Sequence, residues 1–174
     1  MSPEEVRLRA LYLFLACSRA VDQFKERLAA TFPNQPLTAR LVLDKALRKE
    51  LGLLFRYWTT REIWSLLEAS EADAKNLNLA LLRLFTDGFR LPKDGSGLRY
   101  AELSSAVEEV LELGHRLTVT LGMEYPPLLA ELQAGILSWR EKIIRSTREA
   151  LELPLDELTA QAKAWARQAE MTVE

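Results

Sequence analysis

Acid–base, nucleophilic or metal chemistry needs groups that transfer a proton, attack, or hold an ion. The sequence offers few of them. His115 is the sole histidine and Cys17 the sole cysteine. A zinc site of the usual nitrogen–sulfur type would need carboxylates for nearly all its ligands. A dinuclear carboxylate site in a helical bundle needs two Glu-x-x-His elements, which one histidine cannot supply. A Cys17–His115 nucleophile–base pair fails on position, because Cys17 falls on the apolar stripe of a helix, a poor place for a thiolate. Asp94-Gly95-Ser96-Gly97 lacks the lysine and the strand-to-helix setting of a phosphate loop. Glu108, Glu109 and Glu112 stand at helical spacing, and the three together read as a solvated helix face rather than as a general acid and base. The expectation is a protein that is not an enzyme and has no cofactor and no metal.

Two stretches have the composition of a protein contact. Phe55-Arg56-Tyr57-Trp58 joins three aromatics to a cation, and Trp, Tyr and Arg are the residue types that dominate interfaces. The competing reading places Phe55 and Trp58 in the core while Arg56 reaches outward. The helix after Ser70 carries Leu77, Leu81 and Leu84 on one side, and Leu79, Leu82 and Phe85 besides. A helix apolar nearly all round is either buried or at an interface. Arg56, Tyr57, Trp58, Leu79 and Leu82 are therefore the interface candidates, for another protein or for a second copy in a homodimer.

Thr59 to Tyr100 holds the densest apolar run and the only Gly-rich turn, and is the segment around which the other helices are expected to pack. Thr59 and Glu62 have capping-box spacing, Ser70 precedes an acidic first turn, and Gly88 is placed to take a left-handed conformation after Asp87. Phe89-Arg90-Leu91 and Leu98-Arg99-Tyr100 flank a Pro- and Gly-containing turn, a pattern for one short hairpin near 89–100, with an irregular loop as the alternative. This order of short helix, turn, longer helix and basic hairpin resembles a winged helix-turn-helix. The resemblance implies that Thr60 to Leu67 is the positioning helix and Ser70 to Phe85 the recognition helix. Lys75, Asn76 and Asn78 would face bases, and Arg90, Lys93 and Arg99 would lie near phosphate. The sequence departs from that pattern in two ways. Leu79 and Leu82 stand where polar readers are expected, and Glu71 and Asp73 would repel phosphate. DNA-binding regulation is accordingly the second functional reading, and an enzyme using carboxylates the third.

The remaining elements are helices by period. Ser2-Pro3-Glu4-Glu5 is a helix start, and Val6, Ala10, Leu13, Cys17, Val21, Phe24 and Leu28 form one stripe, broadened by Leu8, Leu11 and Leu15. Pro33 and Pro36 bound a turn, and Thr38 is placed to cap a second helix that ends near Trp58, with Gly52 marking a kink or a close contact. Leu103, Val107, Val110, Leu113, Leu117 and Leu121 form a stripe ending near Gly122. Leu129, Leu132, Ile136, Trp139, Ile143, Thr147 and Ala150 form another, so the two suggest an antiparallel pair in which Gly114 and Gly135 permit close approach. Asp156 opens a last helix.

At 174 residues, with 48% hydrophobic and 28% charged side chains, the chain fits one globular domain. The expectation is a mainly all-α, single-domain bundle of six or seven helices over 1–174, with a winged-helix-like core at 38–100 and helical arms at 1–37 and 101–170. A net charge of −2 excludes a globally basic nucleic-acid binder, but residues 40–100 carry 11 basic and 8 acidic side chains while 101–174 carry 7 and 13. One cysteine permits no internal disulfide, and the acidic start does not suit a signal peptide. The seven-residue run Leu11 to Cys17 is far short of the roughly 20 residues that span a membrane. A cytoplasmic interaction or regulatory protein, acting through protein contacts or self-association, is the leading expectation.

Overall fold

Ser2 opens the first helix, α1 (Pro3–Thr31), by accepting the Glu5 amide on its hydroxyl at 3.1 Å. Glu5 does not return the bond. Its carboxylate reaches forward one turn to Arg9, at 3.0 Å from Nε and 2.8 Å from Nη2, so only half of the capping box forms. The computed structural model describes residues 1–34, 37–93, 98–103 and 105–173, without the side chains of 37–40, 42–43 and 170–173. Among the described residues there are seven α-helices and no strand, and no helix is long and apolar enough to cross a membrane.

The whole predicted stripe of α1, from Val6 to Leu28, is buried, with Tyr12, Leu15 and Ala20 beside it. So wide a buried face requires several neighbours, and α1 packs against the second, third, sixth and seventh helices. The second helix packs against five others, the first, third, fourth, fifth and sixth, so the fold is centred on these first two helices rather than on the 59–100 segment alone. α2 (Leu37–Leu66) returns antiparallel to it. Lys25 pairs with Asp44 at 3.4 Å and Asp22 with Arg48 at 3.2 Å, and the Cys17 sulfur lies 3.8 Å from the Thr59 hydroxyl. Burial pushes the Cys17 thiol up to about 12, in keeping with a core role.

The expected break at Thr59 is absent. Thr59 is wholly buried, and its hydroxyl donates back to the Phe55 carbonyl at 2.7 Å. A Thr that satisfies its hydroxyl one turn back sits in a helix interior without starting a new helix. Thr60 to Leu67 is thus no separate positioning helix but mostly the last turns of α2. The proposed capping position Thr38 lies outside the described side chains.

α3 (Glu71–Gly88) runs parallel to α1. The Met1 ammonium meets Asp73 at 3.0 Å, and at the other end the Phe14 ring packs edge-on against Phe85 and Phe89. Gly88 is needed there for room: a Cβ would stand 2.1 Å from Phe14 Cζ. The left-handed residue after this helix is Arg90 (φ 53°), not Gly88. The expected hairpin is also corrected, since Leu98–Ala101 is a short helix, α4, and its turn residues 94–97 lie outside the described residues. Tyr100 is the reason: its buried ring anchors α4, and its hydroxyl donates to Glu50 Oε2 at 2.9 Å.

α5 (Ala106–Leu121) starts at Ser105, whose hydroxyl accepts the Glu108 amide, and ends at Gly122 with φ 62°. It pairs antiparallel with α6 (Tyr125–Glu152), where Gly114 faces Tyr125 and Leu132. Leu132, Ile136, Trp139, Ile143, Thr147 and Ala150 are buried as their spacing requires. Val107, placed on the α5 stripe by its spacing, is instead 53% exposed. α7 (Leu155–Val173) returns along α1, with Trp165 tilted on Tyr12 at 4.9 Å. The buried Arg9 donates from Nη1 to the carbonyls of Ala150 and Leu153, satisfying acceptors that the end of α6 leaves unpaired.

Two glycines separate room from backbone conformation. Gly88→Asn should cost about 1–3 kcal/mol by overpacking the Phe14 ring. Gly122→Asn should cost less than about 1 kcal/mol, because its site is open and Asn tolerates the left-handed region. Urea unfolding of the two variants checks the order; equal losses would contradict it.

Candidate functional site

Leu79 stands at the centre of the outward side of α3. Ala74, Leu77, Leu81 and Phe85 take up the inward side and are buried, which leaves Leu79 47% exposed and Leu82 half-buried one turn on. Because α1 and α3 run parallel and side by side, a groove of about 360 Å³ lies between them, with Pro3, Val6, Leu79 and Ala80 as apolar lining and Arg7 and Arg83 as charged lining. Leu82, Thr86 and Lys93 line a second concavity of about 300 Å³ beyond Arg83. α3 is therefore a ridge between two hollows. Arg7 and Arg83 are exposed, and neither makes an ion pair among the described residues.

The other residues singled out from sequence scatter. Lys75 and Asn76 are exposed on α3, but Asn78 is turned inward, with both amide atoms covered and without a hydrogen-bond partner. A covered amide cannot read a base edge. Arg90 and Lys93 are exposed. Arg99 is half-buried, paired with Glu50 and stacked 4.9 Å over the Tyr100 ring, so it braces α4 against α2. Arg56 is half-buried, and burial pushes its guanidinium below the ordinary value. Tyr57 is half-buried, and its hydroxyl accepts from Arg61 at 3.0 Å. Trp58 is not an exposed aromatic: it is 2% exposed and faces α5 and α6. The structure thus brings Leu79 and Leu82 together and sets Trp58 on a different side of α2.

Arg7 and Arg83 escaped the sequence reading, and Val6 entered it only as part of the buried stripe, where it lies. Arg83 lies four residues after Leu79 and so on the same face, a signal that was available. Val6 and Arg7 are joined to them only by the parallel pairing of α1 and α3, more than 70 positions apart in the chain.

A second feature is interior. Glu109, placed by spacing on a solvated face, is 0% exposed. Its Oε2 accepts the Trp58 indole N–H at 2.6 Å, while Oε1 is covered and unpartnered. The Arg140 guanidinium lies 5.9 Å from the Trp58 ring centroid. Burial pushes the Glu109 carboxyl above its ordinary 4.5, against the opposing pull of the indole N–H, Arg140 and Arg61. The arrangement ties α2, α5 and α6 together through one carboxyl group. His115 is exposed, and no group of three metal-ligating side chains occurs among the described residues.

Because folding raises the Glu109 value, the folded chain binds more protons than the unfolded chain from pH 4.5 up to the raised value. Its contribution to stability is present below that window and is lost as pH rises through it. Glu109→Gln, which keeps the acceptor and fixes the neutral state, should flatten the fall in stability across that window and be at least as stable as the parent at neutral pH. Urea midpoints of both proteins between pH 4.5 and 8 measure this; parallel curves would remove Glu109 from the account.

Compared with known proteins, the chain matches no protein-family model, no curated protein and no solved structure.

Proposed function

We propose that this chain is a non-catalytic interaction protein whose docking surface is the outward face of α3. One observation carries the reading: Leu79 lies 47% exposed on a ridge flanked by two hollows, with arginines that no carboxylate of the described chain engages. An apolar centre with polar surroundings is the usual anatomy of a protein contact. The winged-helix alternative has less support, because its first helix is the end of α2, its wing carries a helix, and Arg99 is held by Glu50. Regulation or assembly through this face, in the cytoplasm, is the biological role that fits.

Photocrosslinking tests the reading. A photoreactive phenylalanine analogue at position 79 should give a discrete protein adduct that is lost in the Arg83→Glu background, while the same analogue at Val119 on α5 should give none. Melting temperature should stay unchanged in Arg83→Glu, since exposed substitutions away from special contacts shift stability by within about 0.5 kcal/mol. Equal adducts from both positions, or none from 79, would overturn it.

A further inference from the structure

The groove between α1 and α3 has a definite chemistry. Its apolar lining, Pro3, Val6, Leu79 and Ala80, comes from two helices, and so do its two cations, Arg7 and Arg83. Five arginines that reach across to another helix are engaged, whereas Arg56, Arg90, Arg145 and Arg167, like Arg7 and Arg83, form no ion pair among the described residues. Arg9 binds carbonyls of α6, Arg27 pairs with Glu131, Arg48 with Asp22, Arg99 with Glu50 and Arg148 with Glu62. Arg7 and Arg83 are the pair left flanking an exposed leucine. Glu4 and Asp87 lie three and four positions away along the respective helices and form no ion pair with them. A guanidinium presents a planar fork matched to a carboxylate, and a carboxylate pair adds direction as well as attraction.

Resting on the interaction reading above, we infer that the α1–α3 groove receives an acidic amphipathic helix of a partner protein. Its apolar side chains sit over Val6, Leu79 and Ala80, and its carboxylates meet Arg7 and Arg83. The shape supports a helix. Two packed parallel helices lie about 8–10 Å apart and leave a furrow that a third helix enters by ridges-into-grooves packing. Asn76 to Arg83, the span of α3 that lines the furrow, is about 10 Å long at 1.5 Å per residue. That length admits two turns of a docked helix, enough for anchors at i and i+3 or i+4 with a carboxylate on each flank. Charge supports the sign. Lys75 is exposed on α3, and Arg90 and Lys93 follow just past its end, against Glu71 and Asp87 on the same helix, so the preference for an acidic partner rests on Arg7 and Arg83 at the groove itself. A nucleic-acid backbone would satisfy the cations but leave the exposed Leu79 without a partner.

The test is a library of random 16-residue peptides displayed on phage and panned on the full chain. The strongest sequence is then synthesised and titrated by fluorescence anisotropy. Enriched peptides should carry several Asp or Glu around leucine or aromatic residues spaced three or four apart. Binding should weaken at least tenfold in Arg7→Glu and in Arg83→Glu, weaken further with added salt, and be lost in Leu79→Glu. Val119→Glu should leave it unchanged, and all four variants should melt with the parent. Loss in Leu79→Glu without any effect of the two charge reversals would overturn the acidic partner while the docking face stands. Binding indifferent to Leu79→Glu as well would overturn both. Enrichment of basic peptides, or of none, would overturn the inference. So would a homodimer in sedimentation velocity that Arg83→Glu dissolves, which would make the occupant a second copy.

Discussion

Burial of a wide face of α1 against four other helices is the constraint from which the rest of the arrangement follows. Val6, Ala10, Leu13, Cys17, Val21, Phe24 and Leu28 form one stripe, but Tyr12, Leu15 and Ala20 are buried too, so one partner helix could not cover this element. α2, α3, α6 and α7 surround it. Each outer helix then needs only one apolar side, and its opposite side is left to solvent or to another molecule. α3 is one such helix. Its inward residues close on Phe14 and the core, and its outward Leu79 is left 47% exposed. The proposed docking face would thus be a by-product of where the core lies.

Close packing around a central helix leaves polar groups stranded, and the fold answers with long-range tethers. Arg9 satisfies the carbonyls at the end of α6, Glu50 holds both Tyr100 and Arg99, and Glu109 takes the Trp58 indole. Groups of this kind add little net stability compared with apolar substitutes of the same shape, yet removing one partner is costly because the other is left buried and unpaired. They therefore select this packing over others. Glu109 has one covered oxygen unpartnered, and burial raises its proton affinity.

What was legible in the sequence were local and periodic features. The Ser2 cap, the α1 and α6 stripes, the end of α5 at Gly122 and the acidic opening of α7 depend on residues a few positions apart. The all-α bundle follows from these. The misreadings share one cause, a distant partner that overrides a local signal. Thr59 and Glu62 have the spacing of a capping box, but the packing of α2 against α1 keeps the helix continuous and the Thr59 hydroxyl bonds backward. Leu98-Arg99-Tyr100 alternates like a strand, but Tyr100 is pulled to Glu50, 50 positions away. Glu109 looks solvated until Trp58, 51 positions away, covers it. For the candidate site the sequence showed one wall, Leu79 and Leu82, and could not show the other.

That missing wall explains why composition is a weak guide to function here. The aromatic-rich run at Phe55 to Trp58 has the residue types of a hot spot, yet Phe55 and Trp58 are spent on the core, because large aromatic side chains also dominate core energetics. The groove between α1 and α3 has an ordinary composition, one methionine, one proline, one valine, one asparagine, one leucine, one alanine and two arginines. What distinguishes it is that its two guanidiniums, unlike the Met1 ammonium held by Asp73, form no ion pair among the described residues. An exposed apolar side chain alone is commonplace on protein surfaces. Leu79 differs from that ordinary case in being flanked by guanidiniums from two different helices, in a furrow that only their parallel packing creates, and it is on this difference that the proposed docking rests.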